Sequence, residues 1–496
     1  MNVIETNENK SACAVVDTSE IDASCRVPLL VLFGGAAVWL VVGLLLGLAA
    51  SMSFHNPNMF ADCACLNYGH AQAASNDLLL YGFAIPAALG VMLWVLARLS
   101  RAPLALPIVP VAAANIWHLA VLLGTAGILM GHSTGYPWLE YPRIAAVLLF
   151  TAFMLIAVSA VATMGFRAER EMYPSHWFLF AALLWFAWAY STANLFLISA
   201  HPPRGVVQAI INWWFANNLL FVFLGLIGIG ISFYFVPKLA GKPLPSTGYV
   251  MFAFLTLMFF GTWMGIPRSA PVPAWLPATT TYAAMLSLLT VLAIAIVFVR
   301  TIWSSGFKVA GSPFCFIRFG TVSFIISTLL YISEFCPRHS VVTDFTWYNF
   351  AVSQWQILGF IGMIATGAIY YILPRVMDKE LPFPALAKGS FYLFVPGVLL
   401  LVIPLIIGGI VQGKKLLDAN LPFADSSGAA LFWFRISTTG QLLILLGALC
   451  LLLNIFKMTI AWKLGLLKAA IAAVKAPLET TSASATLRRD QGEVKS

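Results

Sequence analysis

With 496 residues, 60% of them hydrophobic and only 9% charged, and a mean hydropathy of +0.89, the chain cannot be a soluble globule with an ordinary polar surface. Its fold class is expected to be an all-α polytopic membrane protein. The net charge of +9 lies in loops without interleaved aromatics, so it reads as membrane topology and contact with anionic lipid, and no nucleic-acid partner is expected.

Apolar runs of about 18 residues or more mark membrane-crossing helices. About twelve such spans begin near residues 27, 76, 106, 143, 176, 207, 247, 281, 313, 348, 389 and 433. Residues 1–26 are polar, lack a cleavable signal and are expected to form a disordered leader. Residues 27–474 form one transmembrane domain, and 475–496 a disordered tail. Alternate loops carry Arg98 and Arg101, Arg167 and Arg170, Lys238 and Lys242, Arg300 and Lys308, and Arg375, Lys379 and Lys388. By the positive-inside rule these loops and both termini face the cytoplasm of a bacterial inner membrane.

The first outer loop, SFHNPNMFADCACLNYGHAQAASND, holds His55, Cys63, Cys65 and His70. A C-x-C pair is a poor local disulfide, and the four residues are a candidate metal site whose spacing fits no standard zinc or copper pattern. The third span contains His118, the one histidine placed deep in the membrane. It is a candidate axial ligand, or a histidine hydrogen-bonded between helices. The loop HSTGYPWLEYPR, rich in aromatics and proline, reads as an ordered lid at the interface.

The sixth span opens on WWFANN, which puts Asn217 and Asn218 inside an apolar run, and the tenth, FTWYNFAVSQWQ, does the same with Gln354 and Gln356. Unpaired amides are costly in hydrocarbon, so all four should face the bundle interior. Gly225, Gly228 and Gly230 follow no strand and serve close helix packing.

WWFANN followed by FYFVPKLAGKPL, the segment PVPAWL, FTWYNFAVSQWQ followed by GAIYYILPR, and YGHAQAASNDLLLYGF together resemble the catalytic subunit I of cbb3-type haem-copper oxidases, over residues 30–460. The resemblance implies a twelve-helix bundle, two b-type haems and a copper ion held by six histidines, oxygen reduction and proton movement. On span ten the family's two histidines lie two residues apart, and at about 100° per residue they serve opposite sides of the helix.

At each of those positions this sequence departs from the family. The low-spin haem position before span two is Ser75, and the first copper position in span six is Asn217. The copper pair falls on Gly265 and Ile266 in a gap-free alignment, or on Arg268 and Ser269 if the Gly-Ile-Pro segment is matched instead. The family's redox tyrosine falls on Phe259, and the span-ten pair on Val352 and Gln354. Aliphatic side chains have no donor atom, and neutral amide or hydroxyl oxygens are weak ligands for haem iron or cuprous copper.

The sequence therefore favours a member of this family that binds no cofactor of its own. It would be a structural or partner subunit, assembled with other respiratory membrane subunits, a ligand-bearing oxidase subunit or cytochrome c. Asn217, Gln354, Gln356 and His118 would then form a hydrogen-bond network in the volume the cofactors left, or line a polar cavity. The competing readings are an active oxidase or nitric oxide reductase with unconventional ligation, and a transporter or channel, for which no paired broken helices in related halves are seen.

Overall fold

The computed structural model describes residues 18–493 except 61, 170, 200 and 305–310, with 303–304 and 469–493 given by backbone alone. Arg170, Lys308 and the first 17 residues of the expected leader lie outside the described residues. The described residues are helical throughout the membrane part. Eleven helices are long and apolar enough to cross a membrane: α1 Thr18–His55, α2 Tyr68–Ser100, α3 Ile108–Leu129, α4 Arg143–Gly165, α5 Pro174–Leu197, α6 Val206–Ala240, α8 Trp275–Ile302, α9 Ser312–Ser333, α10 Trp347–Met377, α11 Pro384–Leu416 and α12 Phe423–Lys468. The remaining expected span, α7 Thr247–Trp263, is shorter. It still returns the chain to the face from which α6 departed, because Asn217 near the start of α6 donates from Nδ2 to the carbonyl of Gly261 near the end of α7, at 2.9 Å.

Three helices form the centre. The apolar windows of α2 and α6 are 100% buried and that of α10 is 89% buried, whereas those of the other long helices are buried to about half. Two of them, α6 and α10, carry the amides Asn217, Asn218, Gln354 and Gln356, all buried, as expected if amides seek the bundle interior. Each of the three contains a π-helical stretch, at Leu78–Ala84, Asn218–Phe223 and Trp355–Gly362. A π turn inserts one extra residue into the helical ladder and is found most often at functional positions. Between neighbours, glycines let helices approach: a Cβ on Gly230 would stand 2.9 Å from Cβ of Phe178, and one on Gly440 would meet the backbone of Gly397 at 2.6 Å.

Residues 18–26, expected in the disordered leader, instead form the first turns of α1. A charge pair holds them there. Asp22 is ion-paired with Arg98 at the end of α2, and Trp94 Nε1 donates to Asp22 Oδ1 at 2.8 Å. Ile21 and Cys25 are buried beside it, and Arg26 Nε donates to the carbonyl of Val376. The basic residues used to read topology are docked here as well, with Lys238 Nζ 4.7 Å from the ring centre of Tyr234 and the Arg375 guanidinium 3.5 Å from that of Tyr371. At the other end, the backbone of α12 continues as helix to Glu493, through the segment expected to be disordered.

Candidate functional site

Of the residues that align with the family's ligand positions, Asn217 and Gly265 lie together in one place and Ser75 and Gln354 in another. The first is a cavity of about 250 Å³ on the lid side of the bundle, lined by Asn217, Gly265, Tyr331, Glu334, Asn349 and Gln356 among others. Asn217 is 2% exposed and hydrogen-bonded through both amide atoms: its Nδ2 donates to Gly261, and its Oδ1 accepts from the hydroxyl of Tyr331 at 3.0 Å. Asn218, next to it, accepts from Trp185 Nε1 at 3.1 Å.

Gly265 faces Asn217 where the chain has already left the helix. Its φ is +112°, a conformation side chains rarely adopt, and a Cβ built on it would stand 2.6 Å from Cβ of Asn217 and 2.9 Å from the carbonyl oxygen of Trp213. The backbone at 265 has no room for any side chain. Ile266, the other member of the expected pair, turns into a separate apolar pocket of about 750 Å³ with Trp185, Trp188 and Trp214. In the alternative alignment, Ser269 donates to Asp344 Oδ2 at 2.6 Å and Arg268 Nη1 reaches Thr281 Oγ1 at 3.4 Å. Phe259 is 71% exposed and points out of the bundle, away from the cavity. A tyrosine does reach the copper position, but it is Tyr331 from α9.

The second place is the crevice shared by Ser75 and Gln354. Its free volume is about 20 Å³, room for about one water molecule. Ser75 Oγ donates to the carbonyl of Gly43 at 2.8 Å, and Gln354 Nε2 donates to Asn76 Oδ1 at 3.2 Å. Gln441 of α12 fills the remainder, packed against Gly47 and lining the crevice with Ser75. Val352 is 1% exposed and lines neither place, while its neighbours on α10 divide between them: Ser353 and Gln356 face the cavity, and Phe350 and Gln354 the crevice.

His118 belongs to neither. It sits between α1 and α3, where its Nδ1 accepts from Trp39 Nε1 at 3.2 Å and its Nε2 lies 3.1 Å from the carbonyl of Val31. Both ring nitrogens are thereby engaged, which is the interhelical alternative. The single network expected from Asn217, Gln354, Gln356 and His118 is thus divided among separate sites. The loop residues are also not brought together. His55 Nε2 is 2.9 Å from Thr438 Oγ1, and His70 Nδ1 is 2.9 Å from the carbonyl of Ala64. Cys63 and Cys65 are free thiols, and among the described residues no group of three or more His, Cys, Asp or Glu converges.

The cavity's chemistry is acidic. Burial pushes the Glu334 carboxyl up to about 8, against a side-chain hydrogen bond from Asn349 that lowers it. Burial also raises Asp344, against the lowering effect of Ser269, and the same loss of water lowers His339 nearby. The lid over the cavity is ordered. Trp138, which lines it, has φ +67° and is held by the Tyr81 hydroxyl donating to its carbonyl at 2.6 Å, while Gln208 Nε2 donates to the Tyr136 hydroxyl and Asn212 Nδ2 to the Pro137 carbonyl.

Residues 27–443 match the family described as cytochrome c and quinol oxidase polypeptide I. The chain belongs to this family. It is 23% identical over 387 residues to the cbb3-type cytochrome c oxidase subunit CcoN1 of Stutzerimonas stutzeri, covering 76% of this chain and 81% of that one. It is 22% identical over 454 residues to a cytochrome c oxidase subunit 1 homolog of Azorhizobium caulinodans, covering 85% and 80%. Among solved structures, a heme-copper terminal oxidase dimer studied by cryo-EM superposes with a TM-score of 0.69 at 13% identity, over 88% of this chain and 84% of that one. The haem-copper oxidase fold is therefore present. Tyr331 and Gln441, which close around the candidate positions, were not visible in any local motif.

Proposed function

We propose that this chain is a cbb3-type subunit I-like member of the oxidase family that binds neither haem nor copper and serves as a non-catalytic subunit of a respiratory membrane complex. In this reading it lies in a bacterial inner membrane with both termini in the cytoplasm. The observations that carry the reading are that this chain's own side chains close the crevice at Ser75 and Gln354, and that no imidazole among the described residues lines the cavity at Asn217 and Gly265. Pockets that take cofactor-sized ligands have volumes of about 300–1,000 Å³, and the crevice at Ser75 and Gln354 has about 20 Å³. At the copper position the donors are an asparagine already hydrogen-bonded twice and a glycine with no space for a side chain. These residues do not fit the family's cofactors, since neutral oxygens are poor ligands for iron and cuprous copper. Unconventional ligation gains nothing from His118, both of whose nitrogens are engaged.

A partner role supplies a reason for an oxidase fold to persist around such a centre. Purification in mild detergent with mass spectrometry of the co-purifying subunits tests it. Stoichiometric recovery of other respiratory membrane subunits is expected, and a chain that purifies alone from membranes where it is expressed at its native level would contradict the reading.

A further inference from the structure

Asp77 lies on α2 two residues beyond Ser75 and belongs to neither ligand region. Its side chain is 0% exposed, and neither carboxyl oxygen has a hydrogen-bond partner. The buried hydroxyls of Tyr141 and Thr125 face one another nearby. Tyr141 comes from the lid and reaches inward because Gly124 on α3 leaves space for its ring. The titratable groups facing Asp77 are Glu140 and Tyr141 from the lid, Tyr81 on its own helix and Tyr190 on α5, and no basic side chain stands among them.

A carboxyl group in a membrane bundle with no cation around it and only the Glu140 backbone amide to favour its charge is costly in ionised form, and polar groups in such surroundings mark functional positions. What this site lacks is a positive charge, and a proton is the smallest ligand that supplies one. Glu140 gives the proton a way in. It is half-buried at the rim of the lid, its Oε2 accepts from Ser133 Oγ at 3.1 Å, and burial raises its carboxyl above the ordinary carboxylate range.

We propose that Asp77 and Glu140 form a proton-binding site that exchanges with water on the lid side of the membrane. A proton from that water adds to the Glu140 carboxylate and passes to Asp77. Only O–H bonds form and break, and no oxidant or reductant is needed. The site is separate from the cavity at Asn217, and the lid joins the two: Tyr81, one turn from Asp77, holds the carbonyl of Trp138, whose side chain lines that cavity. The proposal does not depend on whether the chain binds haem.

Infrared spectroscopy of the purified full-length protein in lipid nanodiscs, stepped through pH in H2O and D2O, tests it. The expected result is a carboxylic-acid C=O band that shifts in D2O and is lost as pH rises, absent in Asp77→Asn. In Glu140→Gln the pH midpoint of that band should move. A band unchanged in Asp77→Asn would overturn the proposal, as would a midpoint that follows sodium concentration, which would mark a metal-cation site. If Asp77→Asn does not fold, Glu140→Gln decides alone: a moved midpoint supports the proposal and an unmoved one overturns it.

Discussion

Gly265 stands so close to Asn217 that a Cβ on the glycine would lie 2.6 Å from the Cβ of the asparagine. Two positions that align with the family's copper ligands are thus in contact, with no room at 265 for a side chain that could donate into the adjoining cavity. Gly265→Ala is expected to destabilise the protein by about 1–3 kcal/mol, from positive-φ strain together with overpacking. Thermal unfolding followed in detergent would measure it. Ala at the exposed Gly465, which has open space around its α-carbon, is the matched control and should change little.

The crevice at Ser75 and Gln354 makes a different demand. Placing imidazoles at both positions with Ser75→His and Gln354→His should not create a low-spin haem site, because Gln441 and the helix contact at Gly47 occupy the volume a porphyrin needs. The double variant should show no absorption bands of bis-imidazole haem after growth with added haem precursor. A stoichiometric low-spin spectrum would mean that the crevice opens readily.

Asp22 tethers the start of α1 to Arg98 and Trp94, with side-chain exposures of 10% and 16% for the charged pair. Removing one partner of a buried pair leaves the other charge uncompensated, at a cost of about 3 kcal/mol. Asp22→Asn should therefore lower the unfolding temperature and expose residues 18–26 to limited proteolysis. Without both effects, the leader boundary inferred from polarity alone would be the better description.

Glu334 predicts a pH dependence. Its carboxyl is raised from 4.5 to about 8 by burial, so the folded protein holds this proton more tightly than the unfolded chain. The associated stabilisation is fully present below about pH 4.5, declines as the unfolded chain ionises, and is gone once pH has risen through about 8. Glu334→Gln should flatten the fall in stability across that window. An identical slope in variant and wild type would assign the titration to another group.

Hydropathy made the membrane crossings legible, since an apolar run needs only its own residues to be recognised. Even α7, too short for a length criterion, was anticipated because apolar residues fill the interval before Pro267. The amides Asn217 and Gln354 pointed correctly to buried helices, because hydrocarbon forces such groups inward. What closes around them was hidden. Tyr331 meets Asn217 across 114 residues, and Gln441 reaches Ser75 from the last helix. Such contacts depend on how helices pack, and no local pattern encodes them. The leader boundary was misplaced for the same reason, since Asp22 looks like a polar-tail residue until Arg98, 76 residues later, is beside it. His118 was drawn to the centre by its depth alone, and its true neighbours, Trp39 and Val31, lie on one helix at the margin.

The most direct measurement is the cofactor content of the chain itself: a pyridine haemochrome spectrum and copper analysis of the purified protein, separated from any co-purifying subunits and normalised to protein by amino-acid analysis. The filled crevice at Ser75 and Gln354 and the lack of an imidazole at Asn217 and Gly265 predict haem and copper well below one per chain. Two b-type haems and one copper per chain would contradict the account.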